Sequence, residues 1–389
     1  MSEKITPHPA SFLPEQGLSL CVNGDAGAVR APEYLVETRD SFMHIPENYL
    51  SPQTCAVMTA VMIPVWVHAV KKIKVEIPKS KMPLMGVAAA FSFVAMMFNV
   101  PLPGGTTGHA VGGTLIALLL GPNAACISVT IALLIQALLF GDGGILAFGA
   151  NCFNMAFVLP YLGYAIYSLI RSRTSSEKGR LVAAGVGSYI GINAAAFCAA
   201  VEFGIQPALF HTASGQALYC PYGLNIAIPA MMLGHLTIAG IVEVIFTVAV
   251  LAYVLRTSPG ILPDASHEQT AKKAGVKPLA ILLVALICAV PLGLLATGTA
   301  WGEWGADEIA SVVSGGKALG YTPAGMTQGF SLEALLPDYS IAGLPEAVGY
   351  ILSALIGVLL LIIIFRIIAA SMKETVDFHK KKVSGASAD

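Results

Sequence analysis

Charged side chains are scarce in this chain of 389 residues. Asp, Glu, Lys and Arg together make up 12%, whereas hydrophobic residues make up 56%. A soluble domain usually carries about 25% charged residues, so this deficit excludes an ordinary water-exposed surface over most of the chain. No basic stretch is interleaved with aromatic residues, which argues against nucleic acid as a partner.

Several sequence motifs are also missing. The seven cysteines form no CxxC pair, so we interpret them as small apolar side chains rather than zinc ligands or a disulfide framework. The tract Gly315-Gly316-Lys317-Ala318 lacks the Ser/Thr and the upstream glycine of a nucleotide-binding P-loop. No HExxH motif or nucleophile–base pair lies on an apolar segment, which argues against an intramembrane enzyme. Energy for any pumping must therefore come from a partner or an ion gradient.

Long apolar segments dominate what is present. About 20 apolar residues cross the hydrocarbon core of a bilayer. The pattern predicts an all-α, polytopic integral membrane bundle with about nine transmembrane segments. The third segment is short and is closed by Gly121-Pro122, so it is either a short span or a re-entrant one. The nine segments are 53–70, 83–100, 109–121, 123–140, 145–170, 181–204, 225–255, 278–298 and 346–370.

The connecting loops alternate in charge. Lys and Arg are concentrated in the loops 71–82, 171–180 and 256–277 and in the tail, but are rare in 101–108, 141–144, 205–224 and 299–345. Basic loops stay in the cytoplasm. The alternation predicts a multi-pass protein of the cell membrane, with the residues before the first span outside and the carboxyl terminus inside.

Two histidines lie on the predicted outer side, next to spans. They are His44, within Met43-His44-Ile45-Pro46, and His109, within Gly108-His109-Ala110. Two outward imidazoles make a candidate site for a borderline-soft metal, but two histidines alone leave open whether any metal binds. The glycine tracts 103–109 and 141–144 are either tight turns or places where another segment or a ligand comes close.

The tract Met43-His44-Ile45-Pro46-Glu47-Asn48-Tyr49-Leu50-Ser51-Pro52 resembles the start of the CbiM/NikM family. These proteins are the substrate-binding membrane components of energy-coupling-factor transporters for cobalt and nickel. The resemblance continues through Pro103–Gly113 and Gln136–Asn154, and covers about residues 43–255. Two further tracts, Gly298–Gly305 and Leu336–Ser340, resemble an accessory (NikN/PDGLE-like) component that is fused to the carboxyl terminus of some members.

The resemblance implies a division of the chain. We expect a polar extension at 1–42, disordered or upstream of the true start, and a metal-capturing membrane domain at 43–256. A cytoplasmic loop at 257–277 would then lead to an accessory module at 278–389, with two transmembrane helices and an extracytoplasmic segment at 299–345.

The resemblance also implies a set of metal ligands. These are a free amine on Met43, the backbone nitrogen and imidazole of His44, and the imidazole of His109. Four nitrogens in a plane suit Ni(II) or Cu(II), and Co(II) more loosely. Because Met43 is not residue 1, its amine is free only if translation starts there or the extension is removed. We expect a start at Met43, since the extension has no export signal although the topology places it outside.

Four more polar residues are candidates to hold these ligands in place: Gln136, Asp142, Asn151 and Asn154. A metal-bound histidine usually donates its other ring N–H to a carboxylate or carbonyl, which Asp142 or either asparagine can accept. The asparagines are equally consistent with hydrogen bonds between membrane helices.

The function implied by the resemblance is capture of Ni²⁺ or Co²⁺ as transported substrate, with no resident cofactor. A separate transmembrane coupling subunit and cytoplasmic ATPase subunits would drive release inside, so this chain itself is not an enzyme. The alternative is a self-contained secondary divalent-metal transporter that uses Glu243 and His235, because ionisable groups within a span are costly and often functional. The lack of a clear internal repeat weighs against it.

Overall fold

A computed structural model describes residues 44–103, 106–262, 277–296, 298–306, 308–314 and 317–372. The predicted extension at 1–42, the ligand candidate Met43, the basic tail and most of the predicted loop 257–277 lie outside the described residues.

Helices form most of this structure. In chain order they are α1 (Pro52–Glu76), α2 (Met82–Met96), α3 (Gly113–Leu120), α4 (Pro122–Ile135), α5 (Phe148–Asn151), α6 (Leu159–Arg171), α7 (Glu177–Gly204), α8 (Gln206–Leu209), α9 (Leu224–Gly234), α10 (Gly240–Thr257), α11 (Lys277–Ala289), α12 (Ala324–Thr327) and α13 (Glu346–Ser371). Short 3-10 helices occur at Lys79–Lys81, Pro259–Ile261, Val290–Leu295 and Pro337–Tyr339.

Two short antiparallel strand pairs accompany the helices. Strand β1 (Val100–Leu102) pairs with β2 (Thr106–Gly108), with Val100 opposite Gly108. Strand β3 (Val313–Ser314) pairs with β4 (Lys317–Ala318). The β1–β2 hairpin occupies the glycine-containing tract between the second and third predicted spans.

The predicted membrane class is confirmed, and the count of nine spans proves approximate. Among the described residues, seven helical stretches are long and apolar enough to cross a membrane: Pro52–Glu76, Pro122–Phe140, Phe148–Arg171, Glu177–Leu209, Leu224–Thr257, Lys277–Leu295 and Glu346–Ser371. The other two predicted segments correspond to α2, with 15 residues, and α3, with 8. At about 1.5 Å per residue, both are shorter than a hydrocarbon core of about 30 Å.

The long helices begin with recognisable signals and expose apolar faces. The Ser51 hydroxyl accepts a hydrogen bond from the Thr54 amide at the start of α1, and Ser176 caps α7 in the same way through Gly179. Large apolar side chains, such as Ile245 and Ile367, are exposed along α10 and α13. Such a surface suits lipid, in which helices satisfy their own backbone hydrogen bonds.

Within the described residues, three segments widen from α-helix to π-helix. They are Gln136–Phe140 after α4, Cys152–Val158 after α5 and His235–Ala239 after α9. Such bulges often occur at functional sites. Here they contain the polar residues Gln136, Asn154 and His235; the last two line the cavity described below, and Gln136 hydrogen-bonds Asp142.

The two carboxyl-terminal membrane helices share a core with the amino-terminal ones. Helices α11 and α13 both pack against α2. Buried side chains of α13, including Phe365, belong to the same hydrophobic cluster as Phe93 of α2 and Phe140 after α4. The segment between α11 and α13 packs its Trp301 and Trp304 against residues that surround Tyr49. The segment 298–306 of the predicted accessory module therefore packs against the chain that follows His44.

Candidate metal centre

His44 is buried and tied to an acidic side chain. It is 2% exposed, and its Nδ1 lies 2.8 Å from Oδ1 of Asp142. The Nε2 atom of the same ring is buried and makes no hydrogen bond to the described residues. Of the three side chains considered as hydrogen-bond acceptors for the His44 ring, Asp142 is the one that contacts it.

A glycine-rich turn brings Asp142 to this position. At Gly144, a Cβ atom would lie 2.8 Å from the backbone nitrogen of Glu47, so only glycine fits this approach. The Gly144 amide donates to the Ile45 carbonyl at 2.9 Å, and the Glu47 carboxylate accepts from the amides of Ile145 and Leu146 at 2.6 and 3.1 Å. The tract 141–144 is therefore a turn that cradles the chain next to His44.

His109 comes from a different part of the chain and faces His44. It follows β2 and precedes α3, and its ring centroid lies 5.3 Å from that of His44 at an interplanar angle of 68°. Its Nδ1 is 3.2 Å from the Ala110 carbonyl oxygen. The two histidines singled out from the sequence are therefore neighbours.

Both imidazoles line a cavity of about 90 Å³. Its wall is mostly apolar, with a few polar side chains, an arrangement typical of small-ligand sites. The polar and titratable side chains that line it, besides those of the two histidines, belong to Thr106, Thr107, Asn151, Asn154, His235 and Glu303.

The opposite oxygen of Asp142 is bound by two further side chains. Tyr339 donates to Asp142 Oδ2 at 2.5 Å, and Gln136 Nε2 lies 3.3 Å from Oδ2 and 3.0 Å from the Tyr339 hydroxyl. Burial disfavours the charged form of Asp142, but the His44 imidazole and these hydrogen bonds outweigh burial and lower its pKa below the usual value. These contacts therefore favour the ionised form of Asp142 beside His44.

Sequence reasoning did not connect Tyr339 with this site. The residue is 1% exposed and adopts φ +57, a left-handed conformation that is costly for a side chain of this size. Ser353 of α13 donates to its carbonyl at 2.8 Å, and its ring stacks on Phe140 with centroids 4.6 Å apart. Only its place in the Leu336–Ser340 tract hinted at importance, and that tract gave no indication of contact with Asp142.

The two candidate asparagines have different partners. Asn151 accepts from the Ile45 amide at 3.1 Å and donates to the Ile45 carbonyl at 3.2 Å, so it holds the backbone next to His44 rather than an imidazole. Asn154 donates to Glu202 Oε2 at 2.9 Å while lining the cavity. The first hydrogen-bonds a segment that precedes α1, and the second links two helical segments.

Glu303, a second residue that sequence reasoning missed, also lines the cavity. The side chain is half-buried overall, but its Oε2 atom is buried and has no hydrogen-bond partner among the described residues. Burial, together with the negative charge of Asp142, raises the pKa of Glu303 well above its usual value. The Trp-Gly-Glu-Trp tract was noted only as part of the carboxyl-terminal resemblance.

Glu243 and His235, the pair proposed for the alternative mechanism, have different hydrogen-bond partners. The Glu243 carboxylate accepts hydrogen bonds from the backbone amides of Val111 and Gly112, at 2.8 and 3.1 Å. It therefore caps the amino terminus of α3, where unpaired N–H groups attract an anion. His235 lines the cavity, and its Nδ1 lies 2.9 Å from the Met231 carbonyl oxygen.

Side chains alone do not complete a metal site here. Among the described residues, no group of three or more His, Cys, Asp and Glu is arranged to hold an ion. The ligand set implied by the sequence has only two imidazoles and otherwise uses main-chain nitrogens, one of them on Met43, which lies outside the described residues.

Comparisons with known proteins agree with this arrangement of elements. Residues 44–261 match the model of the family CbiM, described as the cobalt uptake substrate-specific transmembrane region. The chain belongs to the CbiM family. Residues 277–374 match a second family model, the PDGLE domain, so the predicted fusion of an accessory component is confirmed.

Similar proteins carry the same fusion. The chain is 52% identical to the probable fused nickel transport protein LarMN of Lactiplantibacillus plantarum, over 83% of this chain and 97% of that protein. It is 48% identical to the fused nickel transport protein NikMN of Rhodobacter capsulatus, over 82% of this chain and 95% of that protein. A crystal structure of a truncated transition metal transporter aligns with a TM-score of 0.53 and 59% identity, over 55% of this chain and 99% of that one. This CbiM-family chain is thus a multi-pass membrane transport protein.

Proposed function

We propose that this CbiM-family protein is the substrate-binding component of a nickel or cobalt uptake transporter. Its ligands for the divalent ion are the Met43 amine, the His44 backbone nitrogen and imidazole, and the His109 imidazole. The ion is captured from the outer face and released to the cytoplasm. The observation that carries this proposal is the pair of facing imidazoles at one cavity, with Asp142 bound to the first.

The Asp142–His44 contact supports a ligand role for His44. The N–H on the second ring nitrogen of a ligating histidine almost always donates a hydrogen bond to a carboxylate, carbonyl or water. This hydrogen bond fixes the orientation of the ring and raises its basicity. His44 has such a carboxylate, while its Nε2 is buried without a hydrogen bond to the described residues. One ring nitrogen therefore meets the carboxylate while the other is left for a ligand, and the orientation of the ring decides which nitrogen binds the ion.

The orientation of the His44 ring bears on how the ion is held. Only Nδ1 can close a chelate ring with the backbone nitrogen of the same residue, because Nε2 points away from it. In this structure Nδ1 faces Asp142 instead. Chelation by the backbone and ring of His44 therefore requires the imidazole to turn on metal binding, which leaves the Nε2–H as the ring's hydrogen-bond donor.

The outer location of the site is supported by charge. The turn 141–144 and the hairpin tract 101–108, which both border His44 or His109, contain no Lys or Arg. The loops at the other ends of the helices, 71–82 and 171–180, are rich in both. Basic loops mark the cytoplasmic side, so the cavity opens on the extracytoplasmic side in the proposed topology.

Transport requires partners in this proposal. The sequence has no P-loop, so ATP hydrolysis takes place on separate cytoplasmic ATPase subunits, joined by a transmembrane coupling subunit. Two named relatives are nickel transport proteins and others are cobalt transport proteins, which supports these two ions as substrates. The alternative, a self-contained secondary transporter, gains no support from Glu243, because its carboxylate is occupied by the amides at the start of α3.

The binding site is tested by titrating the purified full-length protein with Ni²⁺ and Co²⁺ in a calorimeter. His44→Ala and His109→Ala should each abolish high-affinity binding. His211→Ala is the matched control, because that histidine is exposed and lies outside the cavity wall. Unchanged affinity in both cavity variants would refute the site.

Mass spectrometry of the same sample tests the role of Met43. The proposal expects a protein that begins with a free amine at Met43. Tight Ni²⁺ binding through His44 by a protein that retains residues 1–42 contradicts the amine ligand, though not the imidazoles.

The transport mechanism is tested by Ni²⁺ uptake into cells that lack their own high-affinity uptake. Expression of this chain with coupling and ATPase subunits should give uptake, which an ATPase-inactive variant should abolish. Full uptake by this chain alone would favour the secondary transporter.

A further inference from the structure

We propose that Glu303 contacts the divalent cation in the cavity, so that the PDGLE domain supplies an oxygen ligand to the ion. This inference rests on the proposed function and adds a residue to its site. The carboxylate lies in the segment between α11 and α13, and it lines the same cavity of about 90 Å³ as His44 and His109.

The hydrogen-bonding state of Glu303 is the first argument. Asp142 accepts from His44 and Tyr339, and Glu243 accepts from two backbone amides. Glu303 Oε2 is as inaccessible to water but makes no hydrogen bond to the described residues. A buried carboxylate oxygen without a partner costs free energy, and a cation in the adjoining cavity would remove that cost.

The backbone around Glu303 is held by aromatic packing. Gly302 has φ +85, and a Cβ there would lie 2.6 Å from the Phe203 ring, so the turn is closed against α7. Trp301 and Trp304 both pack on Tyr222, with centroids 5.8 and 5.7 Å away. The backbone on both sides of Glu303 is therefore held in place by packed aromatic rings, which also fixes the position of its carboxylate.

Charge balance is the third argument. The proposed nitrogen ligands carry one negative charge, on the deprotonated backbone nitrogen of His44, so a divalent ion keeps a net positive charge. Charge of one sign is costly in a largely apolar cavity. Asp142 offsets part of it through the imidazole, and Glu303 is the acidic side chain that lines the cavity wall itself. Because the described His, Cys, Asp and Glu side chains form no ready-made group of three ligands, we place the contact of Glu303 on an incoming ion that still carries water, which an oxygen ligand suits.

The test compares Glu303→Gln with the parent full-length protein by calorimetric titration with Ni²⁺ and Co²⁺. Glutamine keeps the shape and removes the charge, and we expect affinity to fall by about tenfold or more. Glu333→Gln is the matched control, because that carboxylate belongs to the same segment but is exposed and lies outside the cavity wall. It should bind like the parent.

Two further measurements separate a metal contact from a structural role. The thermal unfolding temperature of the metal-free Glu303→Gln protein should stay level or rise, because the substitution removes the charge from a carboxylate whose buried Oε2 makes no hydrogen bond to the described residues. The visible absorption spectrum of the Co²⁺-loaded protein should change in this variant and not in Glu333→Gln. Glu303→Asp, which retains the charge, should bind more tightly than Glu303→Gln and provides a second variant should the first not fold.

The outcomes separate this inference from the proposed function. Parent-like affinity and spectrum in Glu303→Gln, with binding lost in His44→Ala, overturn the role of Glu303 and leave the proposed site standing. A lowered unfolding temperature with an unchanged Co²⁺ spectrum likewise overturns it, in favour of a structural role. Binding that is indifferent to His44 and His109 overturns the proposed site itself.

Discussion

Removal of the Tyr339 hydroxyl should weaken metal binding, although that residue belongs to the PDGLE domain and is not a proposed ligand. In Tyr339→Phe the ring can keep its stacking on Phe140. Asp142 Oδ2 loses its 2.5 Å hydrogen bond from Tyr339 and keeps the longer contact with Gln136 at 3.3 Å. The carboxylate that orients His44 is then held less firmly at Oδ2.

The expected size of the effect follows from these contacts. A hydrogen bond to a charged group contributes about 1.5–3 kcal/mol, but only part of this reaches the ion, because the 2.8 Å bond between Asp142 and His44 remains. Loss of a group one contact beyond a ligand typically costs 10–100-fold in metal affinity. We expect about tenfold for Tyr339→Phe, equivalent to about 1.4 kcal/mol, and roughly 100-fold for Asp142→Asn, which removes the charge itself.

The assay is Ni²⁺ titration of the full-length protein, with Tyr350→Phe as control. Tyr350 is also buried, packs 5.5 Å from the Tyr339 ring and donates its hydroxyl hydrogen to the Met97 carbonyl instead of Asp142. It should bind Ni²⁺ like the parent. Equal losses in the two tyrosine variants, or parent-like binding in Tyr339→Phe alongside a large loss in Asp142→Asn, would refute the coupling between Tyr339 and the metal.

Three further substitutions test the scaffold. Gly144→Ala should destabilise the protein and weaken Ni²⁺ binding together, because its Cβ would overlap the backbone at Glu47; a parent-like unfolding temperature contradicts this. Asn151→Ala should cost about 1–3 kcal/mol of stability, since the buried Ile45 amide loses its acceptor and the Ile45 carbonyl loses one of its two donors; the thermal unfolding temperature measures it. Glu243→Ala should lower the unfolding temperature by uncapping α3; lost transport with unchanged stability would instead favour a proton-carrying role.

Much of the fold could be predicted from local patterns. Each of the nine apolar segments corresponds to at least one helix, because run length and composition are local properties that the chain keeps after folding. The widening at Gln136, Asn154 and His235 could not be predicted, since a π-bulge depends on what packs against the helix. The contact that holds the two residues before α3 could not be predicted either, since Val111 and Gly112 donate to Glu243, more than a hundred positions later.

For the candidate site, too, the sequence predicts some features and not others. His44, His109 and Asp142 could be selected from the sequence because family resemblance and flanking glycines single them out. The sequence does not predict which of Asp142, Asn151 and Asn154 contacts the His44 ring. The turn at Gly144 decides that Asp142 reaches the imidazole.

The sequence by itself thus determined the membrane class and the alternation of charged loops, and it selected the two histidines as candidate ligands, because these depend on composition and on short contiguous motifs. Only the tertiary structure decided that two residues of the PDGLE domain reach this site: Tyr339 hydrogen-bonds Asp142, and Glu303 lines the cavity beside His44 and His109. The physical reason is that such contacts depend on how α13 packs against α2 and how two tryptophans anchor a turn over Tyr222. No local pattern in the chain encodes those distances.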